Sequence, residues 1–269
     1  MATELAIIGA GVMAEAIARG IISGKKLKAG QIIAADVSAQ RRDLFTSELG
    51  IAAVESSADA VKGARIVLLS VKPYQMQDVL NQIAGNLASG ALVISIAAGI
   101  STAFIEKALG GKPRRVVRAM PNTPMLVGAG MVAIAPGPNA KGGDLQIARG
   151  LFESSAKVIE VTEEKIDAVT AVSGSGPAYF FFLTEQMIAA GMQMGLSAEE
   201  ARTLAIQTAV GAAKIMGASD DSPAEQRRLV TTPNGTTHAA ITHMESQKWP
   251  EITIEALKAA QKRSRELGK

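Results

Sequence analysis

The stretch that most constrains this fold covers residues 5–14, close to the start of the chain. Four apolar residues lead into the tripeptide G-A-G, and a helical pattern begins at Val12. This order predicts a strand, a tight turn and a helix, and it matches the G-x-G-x-x-G/A fingerprint with Ala14 in the third place. Gly9 would make the turn, while Gly11 would let the backbone approach a pyrophosphate at the helix N-terminus. An ordinary strand–turn–helix unit without a ligand is the alternative.

The first part of the chain alternates strand-like with helix-like segments. The predicted strands are 5–8, 32–35, 66–69, 92–96, 116–117, 131–135 and 157–161. The predicted helices between them are 12–23, 39–49, 77–87, 102–109 and 144–153. This alternation predicts an α/β Rossmann domain over residues 1–162, with a doubly wound, mostly parallel sheet covered by helices on both faces. One of the last two strands is expected to be antiparallel.

From Glu163 onward the pattern changes, because no further strand is expected. The predicted helices are 163–195, 197–217, 223–230, 236–246 and a last one after Trp249-Pro250. Methionine and alanine occur on several faces of these helices, which indicates packing against other helices, including those of a second copy. Residues 163–269 are therefore predicted to form a separate helical domain.

Composition and charge exclude several classes of function. Lysine and arginine are scattered, with a net charge of only +3, so no nucleic-acid partner is expected. The chain has no cysteine, which excludes disulfides and thiolate chemistry and is compatible with a reducing compartment such as the cytoplasm. The most apolar run, 177–195, contains Glu185 and favours a buried helix over a membrane span. The first predicted strand starts so early that no signal or transit peptide is expected.

Three interpretations of the residues after the second predicted strand stay open. Asp36 lies 25 residues after Gly11, where an acidic side chain usually accepts from a ribose 2′-OH and favours NAD. Arg41 and Arg42 follow closely and could instead bind a 2′-phosphate, which would favour NADP. A purely structural role, with Asp36 or Ser38 capping the next helix, is the third alternative.

Two strand ends and three loops carry the remaining motifs. The carboxyl ends of parallel strands line the ligand crevice of such a sheet, so Ser70-Val71-Lys72-Pro73 and Ala97-Ala98-Gly99 are candidate ligand contacts. The loops cover residues 119–124, 173–179 and 230–237. The second and third loops each open a helix whose free N–H groups could bind an anion. Plain helix entry turns, the last one capped by Thr236, are the alternative.

Taken together, these motifs resemble the pyrroline-5-carboxylate reductase family over nearly the full chain. They are G-A-G-V-M at 9–13, V-K-P at 71–73, A-A-G at 97–99, M-P-N-T-P at 120–124, D-A-V-T-A-V-S-G-S-G-P-A-Y at 167–179 and V-T-T-P-N-G-T-T at 230–237. The last two are the most specific. The chain departs from the family at Thr232 and Asn234, where Ser and Gly are usual, and at Ala14, where Gly is frequent. Asn tolerates the left-handed backbone that such a turn requires.

The resemblance implies a Rossmann domain followed by an all-α dimerisation domain, with dimers that assemble further into decamers in some members. It implies reduction of the cyclic imine 1-pyrroline-5-carboxylate to L-proline, the last step of proline biosynthesis. NADPH is the usual hydride donor of the family and NADH the less common one. The resemblance therefore favours NADP for this chain, and Asp36 is the objection.

The predicted site residues follow from the motifs and the resemblance together. The predicted cofactor-binding residues are Gly9, Ala10, Gly11, Val12, Met13, Asp36, Arg41, Ser57, Ser70, Val71, Lys72, Pro73, Ala97, Ala98, Gly99 and Asn122. The predicted substrate-binding residues are Glu163, Ser173, Ser175, Gly235, Thr236 and Thr237. Thr237 is the predicted catalytic residue, with its hydroxyl at the ring nitrogen, and the amides of 235–237 are assigned to the substrate carboxylate. A metal site is not expected, because His238 and His243 do not share one helix face.

Two other functions fit parts of the pattern. A β-hydroxyacid-dehydrogenase-like oxidoreductase would share both halves, but it needs a lysine on the first long helix of the second domain. No lysine occurs between Lys165 and Lys214. A non-catalytic nucleotide-binding protein would bind the coenzyme without oxidising it in the presence of the imine.

Overall fold

The computed structural model describes residues 3–268. The strands are β1 (Leu5–Ile8), β2 (Ile32–Ala35), β3 (Ala52–Val54), β4 (Ile66–Leu69), β5 (Leu92–Ser95), β6 (Arg115–Met120), β7 (Gly130–Pro136) and β8 (Ala156–Glu160). The α-helices are α1 (Val12–Ser23), α2 (Ala39–Leu49), α3 (Ser57–Ala60), α4 (Met76–Ile83), α5 (Thr102–Ala108), α6 (Gly142–Phe152), α7 (Ile166–Val169), α8 (Gly176–Gln193), α9 (Ala198–Ala218), α10 (Pro223–Leu229), α11 (Thr236–Ser246) and α12 (Trp249–Leu267).

Contacts divide the described residues into two compact units. Residues 3–175 and 260–268, which include the end of α12, form the first and are called the sheet unit. Residues 176–259 form the second and are called the helical unit.

The sheet unit contains one eight-stranded sheet in the order β3-β2-β1-β4-β5-β6-β7-β8. The pairings from β3 across to β6 are parallel, β6 and β7 pair antiparallel, and β7 and β8 pair parallel to each other. The strand order reverses between β1 and β4, which is where an open α/β sheet forms its ligand crevice. The predicted Rossmann fold is confirmed. The prediction that one of the last two strands is antiparallel was wrong, because β7 and β8 both run antiparallel to the first six strands.

The strands β1, β2 and β4 are apolar throughout because helices cover both faces of the sheet. All four residues of β1 are fully buried. Leu5 and Ile7 point into one core with residues of α1, α2 and α6, whereas Ala6 and Ile8 point into a second core with residues of α4 and α5. Burial on both faces removes the alternation of apolar and polar residues that a half-exposed strand would show.

Other sequence predictions about secondary structure were also wrong. The edge strand β3 was missed, since it is only three residues long and two of them are alanine. The predicted helix 163–195 is broken into a 3₁₀ turn, α7, a π-helical segment (Thr170–Gly174) and α8. Pro177 contributes to the break, because it has no N–H to donate to the carbonyl of Ser173 four residues earlier. The Asn122 side-chain amide donates to that carbonyl instead, at 3.1 Å.

The helical unit buries little of its apolar surface within a single chain. Its buried residues are the small ones Gly176, Gly191, Ala201 and Ala205. Large apolar side chains on α8 and α9 are exposed, among them Phe181 at 68%. Helices with apolar residues on several faces are typical of an assembly interface.

Within residues 3–268, no helix combines the length and apolar composition needed to cross a bilayer.

Candidate active site

A crevice of about 450 Å³ opens at the carboxyl ends of β1, β2 and β4. Seven of the predicted cofactor-binding residues line it: Gly9, Gly11, Asp36, Ser57, Ser70, Val71 and Lys72. The fold brings these residues together because parallel strands present their carboxyl ends at one edge of the sheet. The remaining predicted residues lie outside this lining and are described below.

The glycine turn after β1 has the geometry of a phosphate cradle. Gly9 has φ +93°, and a Cβ atom there would lie 2.7 Å from the carbonyl oxygen of Ser70, so only glycine fits. Gly11 precedes α1 without a side-chain cap, and a Cβ atom on it would meet nothing within 4 Å. The first turn of α1 has free N–H groups, among them those of Val12 and Met13. These groups therefore lie beside open space. A pyrophosphate fits this arrangement by charge and by hydrogen bonding.

Asp36 fixes the glycine turn from the end of β2. Its Oδ2 accepts from the N–H of Ala10 at 2.7 Å, and its Oδ1 accepts from the N–H of Ser38 at 2.8 Å. The carboxylate also lines the crevice. Asp36 therefore holds the loop in shape and presents negative charge to whatever binds there.

The two arginines of α2 bind groups of the protein itself. Arg41 donates from Nε to the carbonyl of Ala10 at 2.5 Å and forms an ion pair with Glu15 at 2.8 Å. Arg42 donates to the carbonyls of Asp36 and Val37 at 2.8 and 2.9 Å. Burial opposes ionisation of Glu15, but hydrogen bonds from Arg41 and Arg19 outweigh it and lower the pKa of Glu15. Arg41 thus contacts the glycine turn without lining the crevice.

One face of the segment that ends in α4 forms the far wall of the crevice. Gln75, Asp78, Val79 and Gln82 line it, and the sequence predictions missed them. Their spacing of i, i+3, i+4 and i+7 places them on a single helix face, a signal that was available in the sequence. Pro73 begins the helical turn that leads into this face.

The Ala97-Ala98-Gly99 segment follows β5 and is covered by the end of the chain. Gly99 has φ +78°, and a Cβ atom there would lie 2.8 Å from the Gly268 nitrogen and from the Ser264 carbonyl oxygen. Ser264 is buried, and its hydroxyl donates to Asp167 at 2.8 Å. Close approach of the last turn of the chain therefore explains why residue 99 is glycine.

Glu163 is held by the first turn of α5. Its two carboxylate oxygens accept from the backbone N–H and the hydroxyl of Thr102, at 2.7 and 2.6 Å. The buried Arg118 lies 3.8 Å from Glu163 and 3.5 Å from Asp167. Burial lowers the pKa of Arg118, and the two carboxylates oppose that shift. Glu163 thus has a structural role here, and its contact with substrate stays a prediction.

Asn122 and the two predicted serines bond backbone groups. Asn122 is 8% exposed; its Oδ1 accepts from the Met131 N–H at 2.8 Å, and its amide donates to the Ser173 carbonyl. The Ser173 hydroxyl donates to the carbonyl of Val169, and the Ser175 N–H donates to that of Thr170. These bonds shape the π-helical segment, and ligand contacts of the three residues stay predictions.

The loop that begins α11 belongs to the helical unit. Asn234 takes φ +60°, as expected of Asn in this turn, and the Gly235 N–H donates to the Thr232 carbonyl at 3.0 Å. Gly235 rather than Thr236 is the N-cap, and no side chain caps the helix. The first intrahelical bond runs from the Ala239 N–H to the Gly235 carbonyl. The amides of Thr236 and Thr237 therefore lie in the first turn, where helix amides favour an anion.

No group of three or more histidines, aspartates or glutamates among residues 3–268 is arranged to hold a metal ion.

Comparison with known proteins covers both parts of the chain. The family model described as "Pyrroline-5-carboxylate reductase dimerisation" matches residues 163–267, and the model described as "NADP oxidoreductase coenzyme F420-dependent" matches residues 4–99. The pyrroline-5-carboxylate reductase of Pseudomonas aeruginosa is 44% identical over 265 residues, which is 98% of this chain and 96% of that protein.

Solved structures agree with these matches. A pyrroline-5-carboxylate reductase from Coxiella burnetii superposes with a TM-score of 0.91 at 36% identity, with both chains fully covered. The pyrroline carboxylate reductase of Plasmodium falciparum, solved with NADP bound, gives a TM-score of 0.89 at 28% identity and covers 99% of this chain and 98% of that one.

Proposed function

The chain belongs to the pyrroline-5-carboxylate reductase family, and from that premise we propose how its residues reduce 1-pyrroline-5-carboxylate to L-proline with NADP(H) as coenzyme. The observation that carries the proposal is the glycine cradle, which opens onto the crevice at the start of α1. When bound there, NADPH supplies the hydride.

The sheet unit binds the coenzyme. The N–H groups at the start of α1 bind the pyrophosphate, and Gly9 and Gly11 leave room for it. Ala10, Asp36 and Arg41 keep this turn in shape, as their mutual hydrogen bonds indicate. Ser57, Ser70, Val71 and Lys72 contact the coenzyme along the crevice, and the segments at Pro73, 97–99 and Asn122 support its other end.

The start of α11 binds the substrate. The N–H groups of Thr236 and Thr237 bind the carboxylate, and the Thr237 hydroxyl bonds the ring nitrogen. The predicted third donor, the Gly235 N–H, is engaged by the Thr232 carbonyl, so Gly235 contributes the turn that presents the other two amides. This bond fixes the C=N group for hydride transfer, so that its main contribution is orientation. Glu163, Ser173 and Ser175 are assigned supporting roles on the substrate side.

The reaction requires no strong general base in this scheme. The iminium form of the substrate is already electrophilic, and the carbon of its C=N bond accepts the hydride while the nitrogen ends as a basic amine. Hydroxyls and backbone amides therefore suffice at the predicted substrate loop.

The test is an absorbance assay of NADPH and NADH oxidation with 1-pyrroline-5-carboxylate. Consumption of the coenzyme that depends on the imine, with proline as product, is the expected result. A protein that binds NADPH but leaves it unoxidised would be a nucleotide-binding protein instead. Oxidation of a β-hydroxyacid with NADP⁺ would favour the dehydrogenase alternative.

Self-association follows from the dimerisation region at 163–267. We further propose that the two functional domains meet at 162/163, although residues 163–175 and 260–268 pack with the sheet unit. We also propose that the dimers assemble into decamers and that the protein is located in the cytoplasm. The absence of cysteine is compatible with the location.

A further inference from the structure

A cluster of four charged residues joins separate segments of the sheet unit and is called the Arg118 cluster. Its members are Arg118, Glu163, Asp167 and Arg265. Arg118 is buried and lies 3.8 Å from Glu163 and 3.5 Å from Asp167. Asp167 in turn lies 3.8 Å from the Nε atom of Arg265. Because a buried charge is stable only when it is paired, the position of Arg118 depends on its partners.

The Arg118 cluster connects two segments that are proposed to support the nicotinamide end of the coenzyme. Glu163 accepts two hydrogen bonds from Thr102, the first residue of α5, which follows the 97–99 segment. Arg118 lies in β6, whose carboxyl end leads to Asn122. A shift of the cluster would therefore displace both segments.

The end of α12 completes this cluster. Ser264 is buried, and its hydroxyl donates to Asp167 at 2.8 Å. The guanidinium of Arg265 adds a second positive charge, so that two cations face the two carboxylates. Without it, Arg118 alone would face both carboxylates and leave one negative charge uncompensated. The last turn of α12 thus supplies both a hydrogen bond and the balancing charge.

The same turn of α12 lies directly against Gly99. A Cβ atom on Gly99 would lie 2.8 Å from the Ser264 carbonyl oxygen and 2.9 Å from the Leu267 carbonyl carbon. Both neighbours are backbone atoms, so the place of the 97–99 segment depends on where this turn is anchored. The buried Ser264 side chain provides that anchor through its bond to Asp167.

We propose that Ser264 and Arg265 are positioning residues for hydride transfer. They anchor the last turn of α12 to the Arg118 cluster, and this turn holds the 97–99 segment where it aligns the nicotinamide with the imine. The inference rests on the proposed function, since it concerns the same reaction. Neither side chain touches a reacting atom in this scheme. Misplacement of the nicotinamide by about 1 Å is enough to slow such a transfer by up to about a hundredfold.

Single-turnover kinetics of the full-length protein test this inference. A limiting amount of NADPH is bound to excess protein, saturating 1-pyrroline-5-carboxylate is added, and the loss of NADPH absorbance is followed. Ser264→Ala should lower the rate constant by about tenfold, because it frees the turn that lies against Gly99. The dissociation constant of NADPH should change by less than about threefold, since the glycine cradle is untouched.

Two arginines of α12 offer a matched comparison. Arg265→Gln removes the balancing charge and should lower the rate constant by about threefold, a smaller effect because Arg265 is exposed. Arg265→Lys keeps the charge and should restore most of the rate. Arg263→Gln is the control, because Arg263 is exposed on the same helix and pairs with Glu266. It should leave the rate constant unchanged.

The single-turnover rate constant separates positioning from stability. Only NADPH that is bound to folded protein reacts, so a smaller folded fraction leaves this rate constant unchanged, whereas a misplaced nicotinamide lowers it. Urea denaturation measures the stability of each variant. If Ser264→Ala does not fold, the variants of the exposed Arg265 test the same claim.

Two results would overturn the inference. One is an unchanged rate constant in Ser264→Ala or, if that variant does not fold, in Arg265→Gln. The other is an equal loss in Arg263→Gln and Arg265→Gln. Failure of the wild-type protein to oxidise NADPH with the imine would contradict the proposed function itself, which separates the two claims.

Discussion

The sheet unit and the helical unit bury their apolar residues very differently. In the sheet unit, two cores enclose the central strands, and side chains as large as Phe45 and Phe152 are fully buried. In the helical unit, the buried residues are glycine and alanine, while Phe181 and Ile215 are more than 60% exposed in the single chain. The difference indicates that the sheet unit holds its fold with its own contacts, whereas the helical unit completes its core by self-association.

The two units also have different proposed tasks, because the sheet unit is proposed to bind the coenzyme and the helical unit to bind the substrate. The coenzyme crevice is built from strand ends whose positions the sheet fixes, and the predicted substrate loop is one helix start in the helical unit. Loss of self-association should therefore affect the helical unit and turnover first. Binding of the coenzyme should survive.

The largest effect is expected from a charge on the exposed apolar surface of α8. Phe181→Asp should weaken self-association by at least about a hundredfold, because burial of an uncompensated charge at an interface is costly. Light scattering measures the oligomeric state, and NADPH titration measures the coenzyme site. Val127→Asp is the matched control, since Val127 is 81% exposed in the sheet unit. If both variants lost self-association equally, the helical unit would not be the one that completes its core by self-association.

The next effect concerns the predicted catalytic residue. Thr237→Ala should lower turnover by about a hundredfold, because the substrate loses the hydroxyl that orients it. The dissociation constant of NADPH should change by less than about twofold, since Thr237 lies in the other unit. Thr237→Ser keeps the hydroxyl and should retain most activity. Unchanged turnover in Thr237→Ala would exclude Thr237 from the reaction.

A pair of glycine variants tests the cradle within the sheet unit. Gly9→Ala should destabilise the unit by about 2 to 3 kcal/mol, because φ +93° and the Ser70 carbonyl both exclude a Cβ atom. Gly11→Ala should leave stability nearly unchanged, since a Cβ atom there meets open space, but it should weaken NADPH binding. Urea denaturation and NADPH titration measure the two quantities. Equal stability losses would show that Gly11 is constrained by the fold alone.

The smallest effect is a pH dependence of the sheet unit. A hydrogen bond from Arg115 lowers the pKa of the Asp144 carboxyl, and burial opposes the shift. A carboxyl with a lowered pKa in the folded state stabilises the protein above its unfolded pKa of about 3.9, and this contribution is lost as the pH falls further.

Asp144→Asn should therefore cost about 1 to 2 kcal/mol at neutral pH and less at pH 3. Urea denaturation at both pH values measures the difference. A constant cost across this range would show that the charge of Asp144 contributes nothing.

Most of the fold could be predicted from the sequence, because long apolar runs and helix periodicity are local signals. The bounds of β1, β2, β4, α1 and α2 agree with the predictions residue for residue. The π-helical segment could not be predicted, since it depends on Asn122 bonding to Ser173, 51 residues away. Tertiary contacts of this kind override local propensity.

The site could be predicted less completely, for the same reason. The glycine turn and the strand ends follow from motif and topology, and the crevice unites them. The bonds that Asp36 accepts from Ala10 and that Glu163 accepts from Thr102 join residues 26 and 61 positions apart. Neither spacing nor composition indicates such partners. A structural role for Asp36 was one of the alternatives open from the sequence, whereas the structural role of Glu163 appears only in the fold.

Hydrogen exchange of the wild-type protein tests the division between the two units most directly. NADPH should slow amide exchange in the glycine turn and the β4–α4 segment, residues 9–15 and 70–76. Saturating L-proline should slow exchange in the α11 start, residues 233–239. NADPH protection confined to residues 233–239, or proline protection confined to residues 9–15 and 70–76, would contradict the account.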